Sequence, residues 1–180
     1  MAHVAQLGDA PTLIDLFKAY PGIGRHVLGF MEAAFTLSSE LSRGECERVA
    51  AYVSALNQCS YCHTIHAHAA KVCGLDPDLL PEFQTTNDAT DDRWKAAYGY
   101  ARQITNRPAE VGEEHVRACR DAGWSNEAIT QIAMVATGFN LMNRLVDSLG
   151  LTGDPEFLLG AGERLGTISY GGTAAKMGLN

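Results

Sequence analysis

The chain has 180 residues, 46% of them hydrophobic, with a mean hydropathy close to zero, which describes one globular domain able to bury its own core. Fourteen Lys and Arg against twenty-one Asp and Glu leave a net charge of −7, which repels phosphate backbones and anionic lipid and speaks against nucleic acid or membrane partners. The opening MAHVAQLGDAPT lacks the basic start and apolar stretch of a secretory signal, and no run of about 18 apolar residues occurs, so a cytoplasmic protein is expected.

Apolar spacing of three and four residues dominates, and alternation with period two is nearly absent, which predicts an all-α fold. Pro11 to Tyr20 reads as a first helix stopped at Pro21-Gly22, and Ile23 to about Leu37 as a second. Ser42 and Glu45 form a capping box that opens a third helix with the apolar stripe Cys46, Val49, Ala50, Val53 and Leu56. After a break at Asn57-Gln58 a fourth helix runs from about Ser60 to Cys73 and closes on Gly74, and Asp76-Pro77 starts a further turn. The stretch QTTNDAT, residues 84–90, reads as the main interior loop. Beyond it, Trp94 to Ile104 marks a helix ending before Pro108, a shorter one closes at Gly123, and Ser125 caps a long helix reaching Gly150. Residues 1–165 read as a single helical domain with its redox half at about 40–75, and residues 166–180, rich in glycine, as an irregular tail without a role. An offset of 83 residues superposes Ser42 on Ser125, Val49 on Ile132 and Asn57 on Asn140, which hints at a doubled helical unit.

The chemistry concentrates between Glu47 and His66. Cys62 and His66 stand four apart on one helix, one above the other, and share that face with Ile65 and Ala69. Glu47 lies at the edge of the preceding helix's stripe, where its carboxylate can reach a partly buried site, so a carboxylate–imidazole–thiol chain of Glu47, His66 and Cys62 is expected. A free thiol with a pKa of about 8.5 is roughly 3% thiolate at pH 7, and a positioned imidazole with a helix N-terminus can lower that pKa by about two units, so Cys62 is expected as a thiolate at neutral pH. Cys59, expected at the exposed helix start, can then attack an oxidised Cys62 and form a disulfide that an external dithiol reopens. Glu45 belongs to the capping box, His63 and His68 read as solvated, and Cys46, Cys73 and Cys119 as small core hydrophobes. Tyr61 either walls the site or simply packs.

Other readings start from the same residues. Cys59-Ser60-Tyr61-Cys62-His63 spells the c-type haem attachment pattern, which normally accompanies export. Cys59, Cys62, His63 and His66 could ligate zinc, but their crowding into eight residues departs from paired-knuckle spacing. No metal or organic cofactor is therefore expected. A non-catalytic helical oligomer or binding module that keeps the cysteine pair is the alternative from another class.

The spacing Glu47, Cys59, Cys62, His66, with the flanks LSRGECERVAAYVSALNQCSYCHTIHAHAA and FNLMNRLVDSLG, resembles the alkylhydroperoxidase AhpD-like branch of the carboxymuconolactone decarboxylase family, its peroxidase-related members included. The resemblance implies an AhpD-like helical bundle that assembles into homo-oligomers, trimers or hexamers, and reduces hydroperoxides with an external dithiol, a lipoyl group among the candidates. It implies further that Cys62 takes the oxygen as a sulfenic acid, Cys59 closes the disulfide, and Glu47 and His66 relay protons. Tyr61 stands where the best-characterised members carry a His, and the lactone decarboxylases of the group lack the cysteine pair.

Overall fold

A computed structural model of the chain describes residues 3–80, 82–83 and 91–179. The expected loop 84–90 lies outside the described residues. Eight α-helices are found among them, and no strand: α1 Leu13–Ala19, α2 Pro21–Phe35, α3 Arg43–Leu56, α4 Ser60–Val72, α5 Asp92–Asn106, α6 Glu113–Asp121, α7 Asn126–Leu149 and α8 Pro155–Lys176. Local chemistry sets most of the ends. Pro21 occupies the first turn of α2, and Ser42 and Glu45 close a reciprocal capping box on α3, with Ser42 Oγ accepting from Glu45 N–H at 3.3 Å. Ser125 caps α7, and Gly150 ends it in the left-handed conformation at φ 64°.

The central element is α3. Every residue from Cys46 to Ala55 is buried, because α4, α5 and α7 all pack on it. Its expected single stripe is therefore a fully enclosed helix, and Glu47, expected at the edge of that stripe, lies in the interior with no exposed surface. The 83-residue offset also relates the starts of α3 at Arg43 and α7 at Asn126, and the superposed pair Asn57 and Asn140 are hydrogen-bonded, Nδ2 to Oδ1, at 3.1 Å.

The segment from Gly166 is helix rather than irregular tail. Its glycines form a packing surface: a Cβ on Gly162 would sit 2.6 Å from the Ile65 carbonyl oxygen, and one on Gly166 only 2.5 Å from Val72 Cβ. So α8 lies backbone to backbone on α4, which is thereby enclosed between α3 and α8. The helix is broken once, at Ser169 (φ 63°, ψ 169°). Ser169 Oγ accepts from Gly172 N–H at 3.2 Å and Glu32 Oε2 accepts from Gly171 N–H at 2.8 Å, so the second segment restarts with its first donors satisfied. No helix of the described residues is long and apolar enough to cross a membrane.

Candidate active site

The turn between α3 and α4 presents the cysteine pair. Asn57 ends α3, Gln58 takes a positive φ of 58°, and Cys59 N–H returns to the Ser54 carbonyl at 2.9 Å. This fold-back tucks Cys59, the N-cap of α4, under the last turn of α3 with no exposed surface, so the helix start is not the exposed position expected. Cys62 follows on the first turn of α4 with 3% of its surface exposed, and both thiols are free.

Glu47 and His66 meet as expected. His66 Nδ1–H donates to Glu47 Oε2 at 2.6 Å, between two side chains that are almost wholly enclosed. With Nδ1 engaged, Nε2 is the end of the ring left for proton exchange. Phe139 of α7 stacks edge-on against the imidazole at 4.4 Å and fixes its plane. The other carboxylate oxygen, Glu47 Oε1, is buried with no hydrogen-bond partner.

His66 and Cys62 line one cavity of about 90 Å³, closed by α1, α2, α7 and α8. Its walls are apolar, from Met31, Ile65, Phe139, Met142 and Leu165, while Tyr170 and the exposed Arg164 bring polar groups to it. Tyr61 both walls the cavity and packs: its oxygen accepts from Leu13 N–H at 3.2 Å, tying α1 to α4, and burial pushes its hydroxyl up to about 12.

The electrostatics of Cys62 run against the sequence expectation of a thiolate at neutral pH. Its hydrogen bond with Cys59, then burial, then the charge that Cys59 would carry push the Cys62 thiol well above its ordinary value, and only the side chain of Asn143 works the other way. The physical reason is depth: a sulfur with almost no solvent contact beside a second sulfur is costly to ionise. Cys62 thus rests as a thiol. Asn143 belongs to a polar strip that joins α3 to α7, donating to Ser54 Oγ at 3.0 Å and accepting from Asn57 Nδ2 at 2.9 Å.

Two histidines differ. His63, expected in solvent, is buried, with Nδ1 on the Ala51 carbonyl at 3.0 Å, because α4 packs its flank on α3, and burial lowers its pKa. His68 is partly exposed and stands 3.5 Å from Glu163. With His63 turned to a backbone carbonyl and His66 to Glu47, the four residues weighed as zinc ligands do not converge, and no cluster of three or more His, Cys, Asp or Glu fit to hold a metal occurs among the described residues. Cys46 and Cys119 are core residues and Cys73 is half-buried; burial raises all three thiols, Cys119 to about 11.

The residues that sequence reasoning missed are Asn143 and Tyr170. The offset that superposes Asn57 on Asn140 points at the first, one turn further along α7. No local pattern marks the second.

Residues 21–103, which hold Glu47, Cys59, Cys62 and His66, match the model of the Carboxymuconolactone decarboxylase family. No curated protein matches the chain. Among solved structures, the chain is similar to an alkylhydroperoxidase AhpD core, a peroxidase-related protein from Ralstonia eutropha JMP134, at 25% identity and a TM-score of 0.71, over 82% of this chain and 78% of that one. A peroxidase-related protein from Silicibacter sp. TM1040 is similar at 26% identity and a TM-score of 0.63, over 74% of this chain and 71% of the other. The matched segment, a little under half of the chain, and the shared helical fold together make this chain similar to the AhpD-like proteins of the carboxymuconolactone decarboxylase family.

Proposed function

We propose that the protein is a thiol peroxidase that reduces hydroperoxides through Cys62 and Cys59 and is recharged by an external dithiol. The observation that carries this reading is the enclosed Glu47–His66 pair at 2.6 Å, whose imidazole lines a cavity shared with Cys62. Kinship with peroxidase-related proteins supports it.

In this mechanism His66 removes the Cys62 proton only as the peroxide is attacked, since the resting sulfur is a thiol. The sulfur bonds to the terminal oxygen of the peroxide and the O–O bond breaks. Its electron pair passes to the leaving oxygen, which takes the proton from His66 and departs as an alcohol. Glu47 orients the ring and supports the transient imidazolium. Cys59 then attacks the Cys62 sulfenic acid, the disulfide forms, and water leaves. An external dithiol, lipoyl groups among the candidates, reduces the disulfide and is itself oxidised.

The test is a coupled assay that offers hydrogen peroxide or an alkyl hydroperoxide with several dithiols. Wild type should consume the peroxide, and Cys62→Ser should abolish consumption. An unchanged rate in that variant would reject the assignment.

The raised Cys62 thiol also sets a pH dependence that separates this enzyme from one with a preformed thiolate. The protonated form is favoured in the fold, so iodoacetamide labelling of Cys62, followed by mass spectrometry, should be slow at pH 7 and still climbing above pH 9.0. Rapid labelling below pH 7 is the contrary result. Five free cysteines fit a reducing compartment, and we place the protein in the cytoplasm; accumulation of fluorescently tagged protein outside it is the contrary observation.

Self-association is part of the same proposal. Ile23, Val27, Leu141 and Leu145 line one groove between α2 and α7, and Ile23 and Leu141 are each more than half exposed. Light scattering should give the mass of a trimer or hexamer, and a monomer at micromolar concentration is the contrary outcome.

A further inference from the structure

Tyr170 stands on α8 directly after the break at Ser169, and it is 6% exposed. Its ring packs edge-on against Phe35 at 4.9 Å, a contact that phenylalanine would make equally well. The hydroxyl is the anomaly: it is shut off from solvent and has no hydrogen-bond partner. It belongs to a side chain lining the cavity that holds Cys62 and His66, and its surroundings include the charge of Glu47. Buried hydroxyls are almost always paired, so one left unpaired beside a cavity is a group reserved for an occupant of that cavity. Burial keeps the phenol protonated far above neutrality, which makes it a donor and not a base. The backbone supports the placement. Ser169 adopts a φ of 63°, a strained conformation for a residue with a side chain, and the bonds of Gly172 to Ser169 and of Gly171 to Glu32 hold the restart.

We propose that the Tyr170 hydroxyl is the hydrogen-bond donor that holds the leaving oxygen of the hydroperoxide over Cys62. This rests on the peroxidase reading above and adds to it a catalytic residue that lies outside the matched segment, residues 21–103. As the O–O bond breaks, the departing electron pair collects on that oxygen, where the tyrosine bond stabilises it until the proton carried by His66 arrives. Tyr170 keeps its own proton throughout. The apolar walls exclude water, so the hydroxyl supplies the hydrogen bond that solvent would otherwise give.

The experiment compares wild type and Tyr170→Phe for oxidation of the reduced protein by tert-butyl hydroperoxide, read in quenched flow by alkylation and mass spectrometry. The variant should lose at least tenfold in the second-order rate constant, with a melting temperature equal to or above that of wild type. An unchanged rate, or a loss that merely tracks a lowered melting temperature, overturns the proposal. A wild type that is not oxidised at all overturns the peroxidase reading and this one with it, whereas an active wild type matched by Tyr170→Phe overturns the tyrosine alone. A second measurement keeps the ring and hydroxyl in place: 3-fluorotyrosine at position 170 of otherwise wild-type protein should shift its fluorine resonance when tert-butanol, the product alcohol, is added. A resonance that does not move is again contrary.

Discussion

Glu47→Gln should lower hydroperoxide-dependent dithiol oxidation about a hundredfold, mostly in kcat, while the protein stays folded. Glutamine is nearly the same size, and its amide oxygen can still accept from His66 Nδ1–H, so the ring keeps its place. What disappears is the negative charge. The mechanism needs His66 to hold a proton for the moment between its removal from Cys62 and its delivery to the leaving oxygen, and a buried imidazolium without a counter-charge is costly. Substrate binding in the apolar cavity does not use that charge, so KM should change little. Stability should not fall, because an enclosed carboxylate with one unpartnered oxygen is more expensive to bury than an amide. Steady-state kinetics and a thermal melt on one preparation check both halves. Activity within twofold of wild type would show that His66 works without its acid.

Gly162→Ala should cost about 3 kcal/mol of stability, a large part of what a domain of this size possesses. The added Cβ would meet the Ile65 carbonyl oxygen at 2.6 Å and His68 Cβ at 2.9 Å. The first is backbone in the middle of α4 and cannot turn aside as a flexible side chain could, so α8 must lift away. The same displacement withdraws Leu165 and Tyr170 from the cavity, and activity should fall with stability. Gly160→Ala is the control with the opposite sign. Its nearest neighbour is the guanidinium of Arg164 at 3.6 Å, and removing a helical glycine there should stabilise by about 0.5–1 kcal/mol. Urea unfolding of the two variants measures the difference. Equal midpoints would mean that α8 is not seated on α4 as closely as its glycines allow.

The glycines explain why the end of the chain misleads when read locally. Gly166, Gly171 and Gly172 suggest a loop by composition, since an isolated helix pays for each of them in backbone entropy. In the fold Gly162 and Gly166 permit contact that no other residue allows, and packing on α4 outweighs the propensity. His63 and Cys59 follow the same logic. Each occupies a position expected in water, and each is covered by α3, Cys59 through the fold-back under its last turn and His63 through the flank of α4 that packs on it. The thiol of Cys62 went the same way: one helical turn to His66 suggested a thiolate, but depth and a neighbouring sulfur decide its ionisation.

What the residues themselves determined is whatever depends on separations of a few positions. The capping box of Ser42 and Glu45, the helix ends at Gly74 and Gly150, the shared face of Cys62 and His66, and the all-α class are of this kind, because hydrogen bonds and side-chain directions within one helix span at most a turn. Glu47 reaching His66 was also readable, since it needs only the pairing of consecutive helices. Only the tertiary structure decided the depth of the site, the protonation of its sulfur and the arrival of Asn143 and Tyr170. Those depend on α7 and α8 closing over residues some eighty to a hundred positions earlier in the chain, and desolvation is a property of everything that surrounds a group rather than of its neighbours along the backbone.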